Sequence, residues 1–450
     1  MLKSKIAIVF LALLIILHTF LLSRLIFFPY PELFVYPYLT NRGLKPYQQI
    51  LDQHFPGLMF LPINFDNLGM KTPEVARLWL ISVVSFTHLL LFLISSKILK
   101  SKFRALLVNL LYLIWQPFFE GWVLWIDSLL PIVLLPAYYA LYKRKFFLTG
   151  LLLGMGIIFK QVLIPLAGLV LIYIFWEMRE VRVIRRYLYG LGLPLVFVTA
   201  YLFSIGVLGD FWYWTIVFNM ITYVQFGRGM GPSFAHFARV ALVFGIASFI
   251  LLKIKTRDAQ LLLIFLFGTL FGLSTRFDFV HFQPALPFAA LATAYIFWKL
   301  GGSWVVKVFA VGYLLTTVWW LVTFYRGHLG EKILFFDKQT VEVASKIRRY
   351  TKNNDKIFVF GAAPNLYQMS DRLPAGDIFV FQFPWFLMAA EDRLLAGIIK
   401  DQPQIIVSDR NTEIEGRKIS DFAPKLDKYI IQNYHSIDKV GTVSILNRNP

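Results

Sequence analysis

The chain has 450 residues, of which 58% are hydrophobic, 17% aromatic and 16% charged, with a formal net charge of +19. A mean hydropathy of +0.62 excludes an ordinary water-soluble domain and requires a set of bilayer spans. The chain has no cysteine, which excludes disulfide frameworks, zinc–thiolate sites and thiol nucleophiles. The positive charge lies mostly on short loops between apolar runs, which points to membrane lipids as its partner and not to nucleic acid.

A helix needs about 20 apolar residues to cross roughly 30 Å of hydrocarbon. The hydropathy pattern predicts about eleven such crossings, at 6–26, 78–98, 103–119, 122–141, 146–159, 162–176, 188–208, 240–252, 261–273, 284–298 and 304–324. The first run exceeds the apolar region of a signal peptide and reaches Arg24 without a small-residue cleavage site, so it is read as an anchored helix. One set of alternate loops is rich in Lys97, Lys100, Lys102 and Arg104, then Lys143, Arg144 and Lys145, then Arg179, Arg182, Arg185 and Arg186. By the positive-inside rule these loops and the amino terminus are cytoplasmic. The remaining acidic residues ahead of Tyr325, among them Glu32, Asp52, Glu120, Asp127 and Asp278, then fall on or near the outer side.

The first outer loop, 28–77, is far longer than the usual connection of about four to six residues, and such loops are uncommon unless functional. Glu32 opens it, and Asp52 and His54 follow beside Pro56 and Gly57, where the chain should turn. A carboxylate held among aromatic rings at a membrane surface is partly desolvated, which suits Glu32 or Asp52 to take a proton from a hydroxyl. The plainer roles are a helix cap for Glu32 and a turn for Asp52 and His54. No two histidines stand at metal-ligand spacing, so Asp52 with His54 is the one place where a divalent cation could be held.

Farther along, Lys160 and Gln161 interrupt an apolar stretch at its outer turn, where an ammonium can meet an anionic group. Asp127 lies within an apolar run and could support such a site or simply bond a neighbouring helix. The segment 209–239 contains Arg228 and several glycines and reads as a cover over a groove. Arg276 and His281 stand at the next outer boundary, where arginine suits bidentate phosphate contact. A local Arg276–Asp278 pair is the plain alternative. His88 and His236 read as structural.

After Phe324 the apolar runs shrink and charged residues become frequent. The pattern predicts helices at 341–350, 385–400 and 422–433 alternating with strands at 356–360, 404–408 and 441–446, a small α/β layer. The fold class is thus a polytopic α-helical membrane domain, 1–325, followed by an α/β domain, 326–450. An odd number of crossings places the latter outside the cell. Gly361 follows a strand without the glycine spacing of a dinucleotide loop, so no nucleotide is expected.

The acidic residue after the first span, the Gly-Leu-Lys-Pro-Tyr of 43–47 and the Asp-Gln-His-Phe-Pro-Gly of 52–57 resemble the GT-C superfamily of membrane glycosyltransferases. The likeness is to its bacterial branch related to glycosyltransferase family 39 and the protein O-mannosyltransferases. Gly154, Gly156, Lys160 and Gln161 are similar to a lysine–glutamine pair after a glycine-rich helix in that branch. Arg276, His281 and 284–287 resemble its late Arg…His…Pro-Ala-Leu-Pro segment. Many relatives open the first loop with Asp-Glu, whereas Pro31 precedes Glu32 here, so the base is either Glu32 or Asp52.

The resemblance implies a hexosyl- or pentosyltransferase in the bacterial cytoplasmic membrane. It would move a sugar from a polyprenyl-phosphate donor to a glycan, lipid or protein hydroxyl on the outer face. Lys160, Arg276, His281 and Arg228 would meet the donor phosphate, and Tyr47, His54 and Gln161 would belong to the substrate loops. A lipid or sugar transporter is the competing expectation, although the paired halves with matching broken helices that many transporters show are not visible in the sequence.

Overall fold

The computed structural model describes residues 2–226, 232–274, 276–301 and 304–450. It is mostly helical and separates into two compact units, each assembled from distant stretches of chain.

The first unit, Met1–Phe28, Ala76–Val198 and Gly227–Lys332, is helical. Five helices among the described residues are long and apolar enough to cross a membrane: Lys5–Arg24, Pro73–Ile98, Gln161–Met178, Val181–Ser204 and Phe234–Lys253. In four of them no more than 28% of the apolar window is buried, and large side chains such as Trp176, Val196 and Phe197 stand exposed. An apolar surface of this extent calls for lipid.

Other apolar runs fold as shorter helices, Pro131–Tyr142, Phe146–Phe159 and Leu286–Leu300. At 1.5 Å per residue these reach only about 18 to 23 Å. The run predicted at 122–141 breaks because a strand, Val123–Leu124, and a four-residue helix, Ile126–Leu129, precede Pro131. Helices Phe146–Phe159 and Val181–Ser204 touch backbone to backbone. A Cβ on Gly150 would lie 2.1 Å from the Tyr187 carbonyl oxygen, and one on Gly190 2.1 Å from that of Phe147. Small residues at this crossing are what permit it.

A buried polar chain ties the first helix to its neighbours. His88 Nδ1 lies 2.8 Å from Asn109 Oδ1, His88 Nε2 lies 2.8 Å from His18 Nδ1, and His18 Nε2 lies 2.9 Å from Gln116 Oε1. Each otherwise costly buried group thereby finds a partner.

The second unit comprises Pro29–Val75, Thr199–Phe226 and Ile333–Pro450. Its centre is a five-stranded sheet in the order Tyr434–Val440, Val443–Arg448, Ile405–Ser408, Lys356–Phe360, Leu373–Pro374. The last three run parallel, and Val443–Arg448 runs antiparallel to Ile405–Ser408. Lys356–Phe360 and Ile405–Ser408 form near-continuous buried apolar runs, as strands of a parallel sheet covered on both faces do. Helices Lys338–Tyr350, Pro384–Asp401 and Pro424–Asn433 accompany the sheet close to their predicted places. Strand Tyr434–Val440 was not expected. Gly441, at φ +58°, turns it into its hairpin partner.

The first loop folds within this unit as well. Ile50–Leu51 pairs in parallel with Phe379–Val380, the Phe379 N–H donates to the Gln49 carbonyl at 2.8 Å, and Arg393 donates to the Gln48 carbonyl at 2.8 Å. Phe218 stacks on Phe386 with centroids 5.3 Å apart.

Candidate functional site

In the helical unit, Lys160 has an extended backbone, φ −157° and ψ 114°, between helix Phe146–Phe159 and the short turn Gln161–Leu163. The break aims its side chain into the protein, and Lys160 is only 5% exposed. There it forms an ion pair with Asp127, itself 1% exposed. His281 Nδ1 completes the group, 3.1 Å from both Lys160 Nζ and Asp127 Oδ2. Burial, reinforced by the Lys160 ammonium, holds the His281 imidazole below its usual range, so it is neutral at pH 7 and serves Lys160 or Asp127 through one nitrogen. An ammonium has three N–H donors; with Asp127 and Nδ1 as partners, no third partner is found among the described residues.

Of the two roles the sequence leaves open for Asp127, the structure shows it beside Lys160: a buried ammonium without a counter-charge is too costly, and Asp127 supplies it. Asp127 is thus a member of the cluster and more than a helix-to-helix bond. Gln161 is the half-buried first residue of the adjoining turn. Arg276 Nε lies 2.6 Å from Asp278 Oδ2, each side chain 32% exposed, so the plain reading of that pair describes its local geometry. Arg228 lies outside the described residues.

Glu120 is a residue that sequence reasoning did not single out. Pro117 opens a wide turn, and Glu120 has a left-handed backbone at φ 57° next to Gly121. Its carboxylate accepts the Val280 N–H at 3.0 Å, and Gln283 donates to the Gln116 and Phe119 carbonyls at 3.0 and 2.6 Å. These bonds clamp the turn Phe279–Phe282 that carries His281. Burial raises the Glu120 carboxyl to about 7, the Asp278 charge adds to the rise, and the Val280 N–H opposes it. Arg239 was also passed over. Its guanidinium covers the rings of Phe118 and Phe279, 3.7 and 4.1 Å from the centroids, and donates to the Phe118 carbonyl at 3.0 Å. The signal for Glu120 was a carboxylate between Pro117 and Gly121 in an aromatic run. For Arg239 it was an ionisable group entering an apolar helix.

In the α/β unit, Glu32 is 5% exposed and begins helix Glu32–Asn41, where the helix dipole favours a carboxylate. Asp52 is 1% exposed. Its Oδ2 accepts the Tyr36 hydroxyl at 2.7 Å, and its Oδ1 accepts the His54 N–H at 2.7 Å and lies 2.9 Å from His54 Nδ1. Burial, then the Asp52 charge, pushes the Tyr36 hydroxyl well above its usual range, so it remains a donor. Tyr47, left-handed at φ 62° and fully buried, donates its hydroxyl to the His54 carbonyl at 2.9 Å. The structure thus gathers Asp52, His54 and Tyr47 into one bonded loop. As a metal position, Asp52 and His54 are turned toward each other, and no group of three or more His, Asp or Glu suited to a metal occurs among the described residues.

Comparison with models of protein families and with curated protein sequences returns no match.

Proposed function

We propose that this chain is a membrane glycosyltransferase of GT-C type, moving a sugar from a polyprenyl-phosphate donor to an acceptor hydroxyl on the extracytoplasmic face. In this reading about eleven apolar segments cross the bilayer, the amino terminus is cytoplasmic and the α/β tail is outside. The observation that carries it is the buried Lys160–Asp127–His281 cluster at a break between apolar helices. Such a cluster suits a substrate whose tail stays in lipid while its phosphate seeks a donor.

The acceptor oxygen attacks the anomeric carbon, the bond from that carbon to the phosphate oxygen breaks, and the acceptor proton passes to a first-loop carboxylate acting as general base. Lys160 takes the charge developing on the departing polyprenyl phosphate through its third N–H. Arg276 and His281 orient the phosphate. Glu32 and Asp52, the two buried carboxylates of the first loop, are the alternative candidates for the base.

Sealed vesicles of purified protein loaded with polyprenyl-phosphate hexoses and pentoses test this against transport. Release of polyprenyl phosphate together with a glycosylated acceptor is expected. Movement of intact sugar lipid between leaflets with no product would establish a transporter and end the proposal.

A further inference from the structure

We propose that the α/β unit carries a binding site for a hydroxyl-rich ligand of the monosaccharide class, in a hollow just beyond the carboxyl end of strand Ile405–Ser408. The assignment needs only this unit and does not rest on the transfer reaction. The hollow measures about 420 Å³, within the range of about 300 to 1,000 Å³ typical of small-molecule sites. In open α/β sheets, ligands bind outside the carboxyl ends of the parallel strands, and Ile405–Ser408 runs parallel to Lys356–Phe360.

Ser408 lines this hollow and is 3% exposed. Its hydroxyl has no hydrogen-bond partner among the described residues. A buried hydroxyl left unpaired carries a free-energy penalty, which a ligand entering the hollow would relieve. Ser444 stands directly opposite Ser408 across the antiparallel ladder, so both hydroxyls project from the same face and both line the hollow.

The rest of the lining selects the ligand class. Ile430 and Tyr434 are buried, and the Tyr434 hydroxyl is bound to the Pro403 carbonyl at 2.9 Å; the deep surface they offer is therefore apolar. Asp409 and Asn411 bring a carboxylate and an amide nearer the mouth. A pyranose or furanose has this division, a C–H face and a rim of hydroxyls. A phosphate fits poorly. The Arg410 guanidinium makes two bonds to the Asp427 carboxylate, at 2.5 and 2.8 Å, and the Asp409 carboxylate offsets the Lys439 ammonium in the lining, so the hollow offers no surplus positive charge to an anion.

Saturation-transfer NMR on the full-length protein in detergent tests the assignment, with glucose, mannose, galactose, N-acetylglucosamine and arabinose as probes and inorganic phosphate as competitor. At least one sugar is expected to receive saturation. Ser408→Val and Asn411→Trp should each weaken that binding roughly tenfold or more, the loss of about one hydrogen bond or of the space itself. Asn411 is exposed, so Asn411→Trp blocks the mouth without disturbing the core, and circular dichroism confirms folding. Lys352→Gln, elsewhere on the unit, should bind as the wild type does. No signal from any sugar, unchanged binding in folded Asn411→Trp, or displacement of the sugar by phosphate would overturn the assignment. Lost sugar binding with transfer activity intact would separate this site from the transfer reading.

Discussion

Asp127 in the helical unit and Asp52 in the α/β unit are equally buried, at 1% exposure each, and are held by different chemistry. Asp127 faces an ammonium. Asp52 faces a hydroxyl, a backbone N–H and an imidazole. The first arrangement balances charge with charge and depends on Lys160 remaining in place. The second replaces water with local donors and needs no counter-ion. A buried ion pair adds little stability over an apolar pair of the same shape, yet losing one partner is severe. A site that must receive an anion is therefore better built on the first arrangement, where a cation can be shared between its resident carboxylate and a ligand.

The largest expected effect follows from that contrast. Lys160→Met strands the Asp127 charge and should destabilise the helical unit by about 3 to 5 kcal/mol, whereas adding Asp127→Leu should restore most of the loss. Denaturant titration in detergent reads both, and a Lys160→Met cost near zero would erase the distinction. Asp52→Asn should cost less, about 1 to 3 kcal/mol, because an amide keeps one acceptor for Tyr36 while disturbing the bonds to His54. Thermal unfolding followed by tyrosine fluorescence checks it, and a larger cost than that of Lys160→Met would invert the comparison.

Glu120 gives a pH test. Its carboxyl rises from an ordinary 4.5 to about 7 in the folded protein. The native state therefore holds the proton more tightly than the unfolded one. This contribution to stability is complete below about 4.5 and is lost as pH rises through about 7. The denaturant midpoint of unfolding should fall over that window, and Glu120→Gln should flatten the profile. The smallest effect belongs to Arg276→Gln. Its pair with Asp278 is one-third exposed, so stability should change by less than about 1 kcal/mol, while donor affinity should fall if Arg276 meets phosphate.

Local patterns in the sequence were legible. The apolar runs marked the helices, Lys160–Gln161 marked a helix break, and strand Lys356–Phe360 and helix Pro384–Asp401 appeared close to where periodicity placed them. Pairings over long separations were not. Nothing in the chain announces that Asp127 meets Lys160 and His281, because each lies on its own segment and only packing brings them together. The two-residue pairing of Ile50–Leu51 with Phe379–Val380 is too short to leave an alternation, so the first loop read as separate from the tail. Strand Tyr434–Val440 was missed because its exposed residues, among them His435, Ser436 and Lys439, dilute the apolar pattern. The continuous apolar run 122–141 also concealed the break ahead of Pro131, since composition registers hydropathy and not backbone geometry.

The claim that Lys160 meets the donor phosphate is tested most directly in the Lys160→Met/Asp127→Leu protein, which removes the ammonium without stranding a charge. The quantity to measure is the initial rate of polyprenyl phosphate release from a polyprenyl-phosphate sugar, at matched amounts of folded protein. The account predicts a fall of roughly a hundredfold or more, the scale of losing one charge-stabilising donor. A rate within about threefold of wild type, well short of that scale, would contradict it.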